Sequence, residues 1–310
     1  MLQDISFFIF ALVVLWLGAG LIIYSLERIS KHLEMSAFAA SFSILGLLTS
    51  LPEISVGINA IIDKKPEIYV GNLIGASVVL FLLVIPLLAI LGNGVRLSHQ
   101  LTPIRLILSL YTIGLPSLMI IDGNLTLLES LLLILIYSLL LYSLEKAKGI
   151  LDHFKDKFLS GKKEIYRDFI KIVIGAFIVY MASVILVDKT ILFSQILGVS
   201  PFILSLLGLS IGTNLPEISI AIRAITTGKK EIALGDYIGS AAANTLLIGV
   251  LTLINKKQLV LHNHFLQTFI FMLSGLTLFY YFTRSKNDIS RKEGLVLLSL
   301  YLAFFLLELT

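Results

Sequence analysis

The chain of 310 residues contains no cysteine, which excludes disulfide bonds, thiol catalysis and metal sites with cysteine ligands. Charged residues are also scarce, at 14% of the sequence, whereas a soluble domain is about a quarter charged. The H-E-x-x-H pattern of a membrane metalloprotease and the Asp-rich pairs of a prenyl transferase are both missing. With 57% hydrophobic residues, the composition indicates a membrane protein. Because the enzyme motifs are missing, we predict that it is not an enzyme.

Ten apolar segments are long enough to cross a bilayer, since one helical crossing needs about 20 residues. Backbone amides in lipid must be paired within their segment, which favours helices, and the sequence lacks the short alternating segments of a β-barrel. The first segment is too long for the apolar part of a signal peptide and is interpreted as the first spanning helix. We therefore predict an all-α membrane protein with ten transmembrane helices, at 5–26, 36–62, 67–92, 103–121, 125–144, 168–188, 199–226, 231–254, 263–283 and 291–309.

Lysine and arginine residues concentrate in connections that fall on one side of a ten-helix chain, and such connections are usually cytoplasmic. The richest is the segment 145–167, which separates a first five-helix repeat, 1–144, from a second, 168–310. We interpret this segment as a basic cytoplasmic linker, and contact with lipid headgroups is the alternative. The predicted location is the plasma membrane, with both termini outside.

Two stretches of the chain, 49–80 and 213–244, match without a gap at an offset of 164 residues, with 15 identities in 32 pairs. Each copy contains T-x-L-P-E-I-S followed by G-x-x-I-G. Five helices separate the copies in the ten-helix arrangement, so the second copy enters the membrane from the opposite side. Such inverted repeats are typical of alternating-access transporters. Duplication of a stable helical hairpin is the alternative interpretation.

Each repeat places one glutamate, Glu53 or Glu217, near the middle of an apolar segment. An isolated carboxylate at that depth costs at least a few kcal/mol, so it needs a polar cavity, a proton or a partner. No lysine or arginine lies in either T-x-L-P-E segment, which makes a bound cation the natural partner. A protonated, purely structural glutamate is the alternative.

A proline precedes each glutamate and predicts that helices 2 and 7 are discontinuous, because Pro52 and Pro216 donate no backbone hydrogen bond and clash with the preceding turn. Hydroxyl and amide oxygens cluster at the same breaks. Together with carboxylate and carbonyl oxygens they suit hard cations such as Ca²⁺. The predicted oxygen donors at the breaks, besides the glutamates, are Thr49, Ser50, Thr213 and Asn214.

The second part of each repeat carries small residues at helical spacing, which let helix backbones approach each other. Ser240 and Asn244 lie four residues apart and share a helix face, from which they face the glutamates in this interpretation. Glu67 and Glu231 begin their helices, and Asn72 and Asp236, one turn further in, are expected near a mouth of the pathway.

The paired motifs, T-S-L-P-E…G-N-L-I-G-A and G-T-N-L-P-E…G-D-Y-I-G-S, resemble the alpha repeats of the sodium/calcium exchanger family, within the cation/Ca²⁺ antiporter superfamily. The resemblance implies exchange of Na⁺ for Ca²⁺ at a mid-membrane site, with Glu53 and Glu217 bridging the ions. It also implies backbone carbonyl ligands at Gly46 and Ser210 and a hydroxyl ligand at Ser240. Helices 1 and 6 resemble the pair that slides across the core to switch access.

The chain departs from the family pattern at three positions. The usual G-S-N-x-x-N of helix 3 reads G-A-S-V-V-L here, so Ala76 and Leu80 replace a serine and an asparagine. Ser77 stays a candidate ligand on this helix. On helix 8, Asn244 stands where an aspartate is common. These changes leave the ion preference and stoichiometry open.

The sequence thus predicts a secondary antiporter that exchanges Na⁺ for Ca²⁺ by alternating access. H⁺-coupled exchange of Ca²⁺ or another cation is the first alternative, since buried glutamates can titrate near neutral pH. A structural protein with a vestigial site is the second. The expected partners are the transported cations and the lipid bilayer, with no cofactor, no nucleic acid and no obligate protein partner.

Overall fold

The computed structural model describes residues 2–32, 46–96, 102–145, 162–228, 230–261, 265–286 and 288–309, and these are mostly helical. In chain order the α-helices are α1 (Leu2–His32), α2 (Gly46–Thr49), α3 (Leu51–Ile62), α4 (Pro66–Val79), α5 (Ile85–Leu91), α6 (Pro103–Met119), α7 (Leu127–Glu145), α8 (Lys162–Leu197), α9 (Pro201–Leu204), α10 (Ser210–Thr213), α11 (Leu215–Thr227), α12 (Lys230–Asn255), α13 (Phe265–Lys286) and α14 (Arg291–Glu308). One π-helical turn, Leu80–Val84, joins α4 to α5, and another, Ser205–Leu209, joins α9 to α10.

The helices follow the apolar segments of the sequence. Seven continuous helical stretches in the described part of the chain are long and apolar enough to cross a bilayer, while α3 and α6 are shorter apolar helices. Residues 36–45 of the second predicted segment lie outside the described residues. The sequence predicts the sixth segment at 168–188, whereas α8 runs from Lys162 to Leu197, because the apolar stretch continues beyond Asp188 and Lys189.

Two short antiparallel strand pairs join the two halves of the chain. Strand β1 (Val95–Arg96) pairs with β4 (Asp288–Ile289), and β2 (Asn124–Leu125) pairs with β3 (Leu259–Val260). Each pair connects a loop of the first half with a loop of the second. The loops of one pair must therefore lie at the same end of the helix bundle.

The centre of the fold is formed by α4 and α12, which are the second helices of the two repeats. In their apolar windows, 83% of the span from α4 to α5 and 78% of that of α12 lie buried, compared with 28% for α1 and for α7. Every residue of α4 from Ile68 to Val79 is buried, as expected for a helix enclosed by others. The outer helices instead expose large apolar side chains, which is the surface that lipid requires.

Each central helix packs closely against the broken helix of the other repeat. A Cβ atom at Gly75 of α4 would lie 2.2 Å from the carbonyl oxygen of Leu206, and one at Gly71 would lie 2.4 Å from that of Phe202. Equivalently, a Cβ atom at Gly46 of α2 would lie 2.6 Å from the carbonyl carbon of Gly239 in α12. Glycine is required at these crossings because backbones touch there.

Helices α1 and α8 form an antiparallel pair at one side of this centre. Ion pairs join them near both ends, with 2.9 Å between Lys189 Nζ and Asp4 Oδ1 and 3.2 Å between Arg28 Nε and Asp168 Oδ2. Midway, a Cβ atom at Gly175 would lie 2.9 Å from the Gly18 carbonyl oxygen. The two helices are therefore fastened to each other along their length.

Candidate functional site

The first repeat contains a break in its first helix. Helix α2 ends at Thr49 and α3 begins at Leu51, and between them Ser50 has φ −78° and ψ 8°, which departs from helical geometry. Pro52 lies in the first turn of α3, where a missing backbone N–H costs nothing. The proline therefore starts a new helix and does not bend a continuous one.

The second repeat contains the same break at the equivalent position. Helix α10 ends at Thr213, α11 begins at Leu215, and Asn214 has φ −87° and ψ 8°. Pro216 lies in the first turn of α11. The identical local geometry follows from the identical L-P-E sequence in both copies.

Side chains at both breaks donate hydrogen bonds to one carbonyl in the preceding turn. The Ser50 hydroxyl donates to the Gly46 carbonyl at 2.8 Å, and the Thr49 hydroxyl does so at 3.3 Å. In the second repeat the Asn214 amide and the Thr213 hydroxyl donate to the Ser210 carbonyl, at 2.7 and 3.3 Å. Both carbonyls predicted as cation ligands thus accept donors from their own turn in this structure, and their role as ligands stays a prediction.

Glu53 and Glu217 are buried and lie near each other. Glu53 is 2% exposed and Glu217 is fully buried, and their charges repel each other when both are ionised. The hydroxyl of Thr213 interacts favourably with the Glu53 carboxylate, and that of Thr49 with the Glu217 carboxylate. Each repeat therefore places its threonine beside the glutamate of the other repeat.

The polar residues of the central helices lie against these breaks and each other. The Ser50 and Ser240 hydroxyl oxygens are 3.4 Å apart. The Asn244 amide donates to the Ser77 hydroxyl at 3.1 Å, and that hydroxyl lies 3.5 Å from the Ala241 carbonyl oxygen. The structure therefore brings Ser240 to the first break. It also joins two further candidate ligands, Ser77 of α4 and Asn244 of α12, by a hydrogen bond.

Two polar residues lie deeper than the sequence predicts. Asn72 and Asp236 were expected nearer a mouth of the pathway, but both are fully buried. The Thr213 hydroxyl donates to the Asn72 side-chain oxygen at 3.3 Å, and Asp236 lies near enough to Glu217 for their charges to repel when both are ionised. The sequence did offer one signal for these two residues, because Asn72 and Asp236 occupy equivalent positions in the two repeats. The misplacement came from counting turns along a helix without knowing how the two repeats cross.

Several buried oxygens at this site accept no hydrogen bond from the described part of the chain. Although Thr49 interacts with Glu217, neither carboxylate oxygen of Glu217 accepts a bond of full hydrogen-bond geometry. The same holds for Glu53 Oε2, Asn214 Oδ1 and Asn244 Oδ1. A buried acceptor without a donor costs roughly 1 to 3 kcal/mol, and more when it is charged. A cation is a partner that satisfies several such oxygens at once.

The donor set at this site consists of oxygen atoms that suit a hard cation. Among the described residues no three Asp, Glu, His or Cys side chains are grouped closely enough to hold a metal ion. A cation here would meet two carboxylates and neutral hydroxyl or amide oxygens. Such oxygen ligands suit Ca²⁺ and related ions, and few charges allow the ion to leave again.

Comparisons with known proteins agree with this arrangement. The family model described as "Sodium/calcium exchanger protein" matches residues 4–144 and 168–310. Among curated relatives, the sodium/calcium exchanger MaX1 of Methanosarcina acetivorans is 25% identical, over 94% of this chain and 95% of that protein.

Solved structures share the fold. The sodium-calcium exchanger NCX_Mj is 23% identical with a TM-score of 0.70, and the match covers 97% of each chain. The H⁺/Ca²⁺ exchanger CAX is 17% identical with a TM-score of 0.78, over 99% of this chain and 86% of that one. The chain thus has the helical fold of membrane exchangers and is a multi-pass integral membrane protein.

Proposed function

Since the chain belongs to the sodium/calcium exchanger protein family, we propose that it is a secondary cation antiporter that exchanges Na⁺ for Ca²⁺ at the site between Glu53 and Glu217. The observation that carries the proposal is the set of buried acceptor oxygens at this site that accept no hydrogen bond from the described residues. Two ionised glutamates supply a charge that one Ca²⁺ or two Na⁺ balance. Because both ions need the same carboxylates, Na⁺ and Ca²⁺ cannot be bound at the same time. One ion must therefore leave before the other binds, which makes transport an exchange.

The proposed architecture has ten transmembrane helices in two inverted five-helix repeats, 1–144 and 168–310, joined by the basic segment 145–167. The strand pairs support ten crossings. In a ten-helix chain, β1 and β4 each follow an odd-numbered crossing, while β2 and β3 each follow an even-numbered one. The two strands of each pair therefore lie on the same side of the membrane, as pairing requires. We place the protein in the plasma membrane, with the basic segment in the cytoplasm and both termini outside.

Access to the site alternates by movement of α1 and α8 across the central helices. Those two helices are held together by ion pairs at both ends, so they move as one body. Their polar links to the broken helices include the bond from the Asn59 amide to the Ser183 hydroxyl at 2.8 Å and that from the Trp16 indole to the Ser219 hydroxyl at 2.6 Å. A fastened pair sliding on a fixed core exposes the site to one side at a time.

H⁺-coupled Ca²⁺ exchange is the second candidate. The observation that favours it is the loss of oxygen donors at Ala76 and Leu80, since a proton needs fewer ligands than Na⁺ does. The carboxylates remain available to carry protons in a buried site.

The test is Ca²⁺ uptake into proteoliposomes with the Na⁺ gradient and the pH gradient imposed separately. Uptake driven by Na⁺ at equal pH, and lost in Glu53→Gln, supports the proposal. Uptake driven only by the pH gradient in sodium-free buffer favours the second candidate. A matched control is Glu67→Gln, which removes a carboxylate that pairs with Lys65 at 3.8 Å in the first turn of α4. Full activity of Glu53→Gln would contradict both candidates.

A further inference from the structure

A tyrosine of α12 reaches the backbone of the segment that carries Glu217. The Tyr237 hydroxyl donates to the Glu217 carbonyl oxygen at 3.0 Å, and both residues are fully buried. A carbonyl oxygen has two lone pairs, so it can accept this bond as well as a backbone bond within its own helix. The hydroxyl therefore joins α11 to α12 and need not disrupt either helix.

The bond falls where α11 is least constrained by its own backbone. Helix α11 begins at Leu215, directly after the break at Asn214, so Glu217 lies in its first turn. The first turn of a helix has fewer internal backbone hydrogen bonds than the helix interior, and Pro216 has no N–H to donate. A side-chain bond to this turn therefore fixes the backbone from which the Glu217 carboxylate projects.

The position equivalent to Tyr237 in the first repeat has no hydroxyl group. Leu73 of α4 occupies that position and is fully buried. An apolar side chain is thus sufficient to fill this place between the helices. The hydroxyl of Tyr237 adds a link that Leu73 cannot give to Glu53, so packing alone does not account for it.

Tyr237 shares a helix face with two candidate ligands. Tyr237, Ser240 and Asn244 follow each other at intervals of three and four residues, which places them on one side of α12. Ser240 lies 3.4 Å from Ser50 at the first break, measured between the hydroxyl oxygens. By holding α11 to this face, Tyr237 sets the distance between Glu217 and the polar side chains of α12.

We infer that Tyr237 is a positioning residue for Ca²⁺ binding at the exchange site proposed above, on which this role rests. It holds the Glu217 segment in place before the ion arrives, so that binding need not order the first turn of α11. Groups that are ordered in advance cost less free energy when they engage a ligand. Loss of the hydroxyl is expected to weaken Ca²⁺ binding about 2- to 12-fold, the effect of one hydrogen bond.

The test compares Tyr237→Phe with Tyr69→Phe in the purified full-length protein. Tyr69 is also fully buried, and its hydroxyl lies 2.9 Å from the Thr252 hydroxyl, so it links α4 with α12. Thr252 lies about 22 Å from Tyr237 along α12, at about 1.5 Å per residue. The control therefore removes the same chemical group far from Glu217. Calorimetric titration is expected to show weaker Ca²⁺ binding by Tyr237→Phe and wild-type binding by Tyr69→Phe.

Transport kinetics separate positioning from a loss of folded protein. In Ca²⁺ uptake by proteoliposomes, Tyr237→Phe is expected to raise the KM for Ca²⁺ by a similar factor and to keep the maximal rate. A variant that is only destabilised keeps its KM and loses maximal rate, because fewer molecules are active.

Two results would overturn the positioning role of Tyr237. One is a wild-type Kd in Tyr237→Phe, and the other is an equal rise of Kd in Tyr69→Phe. If the wild-type chain binds Ca²⁺ but transports none, the antiport proposal fails, and the difference in Kd still decides the role of Tyr237. A wild-type chain that binds no Ca²⁺ would contradict both proposals.

Discussion

Adding one methyl group at Gly75 tests whether the crossing of α4 and the π-helical turn before α10 holds the site together. The new Cβ atom would lie 2.2 Å from the Leu206 carbonyl oxygen and 2.9 Å from its Cα atom. Ordinary contacts between such atoms are about 3.5 Å or longer, so the backbones must separate by roughly 1 Å. Overpacking of this kind costs about 1 to 3 kcal/mol, and here backbone cannot rotate away as a side chain does.

The same separation moves α10, which carries Thr213, away from α4, which carries Asn72. Gly75→Ala is therefore expected to lower both the thermal stability and the Ca²⁺ affinity of the purified protein. The matched control is Gly208→Ala in the same π-helical turn, where an added Cβ atom meets nothing within 4 Å. That variant is expected to be neutral or slightly more stable, by less than about 1 kcal/mol. Equal behaviour of the two variants in thermal unfolding and calorimetric Ca²⁺ titration would refute the packing argument.

Two further predictions concern the site itself. Glu217→Gln removes one partner of a buried charge interaction and should weaken Ca²⁺ binding by about 3 to 5 kcal/mol, roughly 150- to 5,000-fold in Kd, in calorimetric titration; a Kd within a factor of about five of the wild type would argue against direct coordination. Thr213→Val removes the donor to Asn72 and should destabilise the protein by about 1 to 3 kcal/mol, whereas Thr213→Ser should not; equal unfolding curves for these two variants would show that the hydroxyl is unimportant.

Much of the helical arrangement follows from hydropathy, because lipid leaves a chain few ways to pair its backbone. The helix breaks near Ser50 and Asn214 also follow from local sequence, since Pro52 and Pro216 each start a new helix. The repeat itself indicated that Glu53 and Glu217 are related by the internal symmetry. These are properties of single segments, which a sequence displays directly.

Properties that depend on how segments cross were harder to predict. Counting turns predicts Asn72 and Asp236 toward a mouth, yet both are buried, and Asn72 lies beside Thr213 at the break of the other repeat. The strand pairs β1–β4 and β2–β3 involve two residues each, too few to leave a hydrophobic pattern. The length of α8 was underestimated because Asp188 and Lys189 interrupt the apolar pattern, although the helix continues through apolar residues to Leu197.

The carbonyls of Gly46 and Ser210 illustrate the same limit at the scale of single bonds. Sequence resemblance marked them as ligands, but the hydroxyl and amide groups one turn later donate to them here.

The most direct measurement is the position of a heavy divalent ion such as Sr²⁺, located by its anomalous scattering in crystals of the protein. The account predicts a peak in contact with carboxylate oxygens of both Glu53 and Glu217, absent from crystals of Glu53→Gln/Glu217→Gln. A peak elsewhere in the molecule, or one that touches a single glutamate and survives the loss of the other, would contradict it.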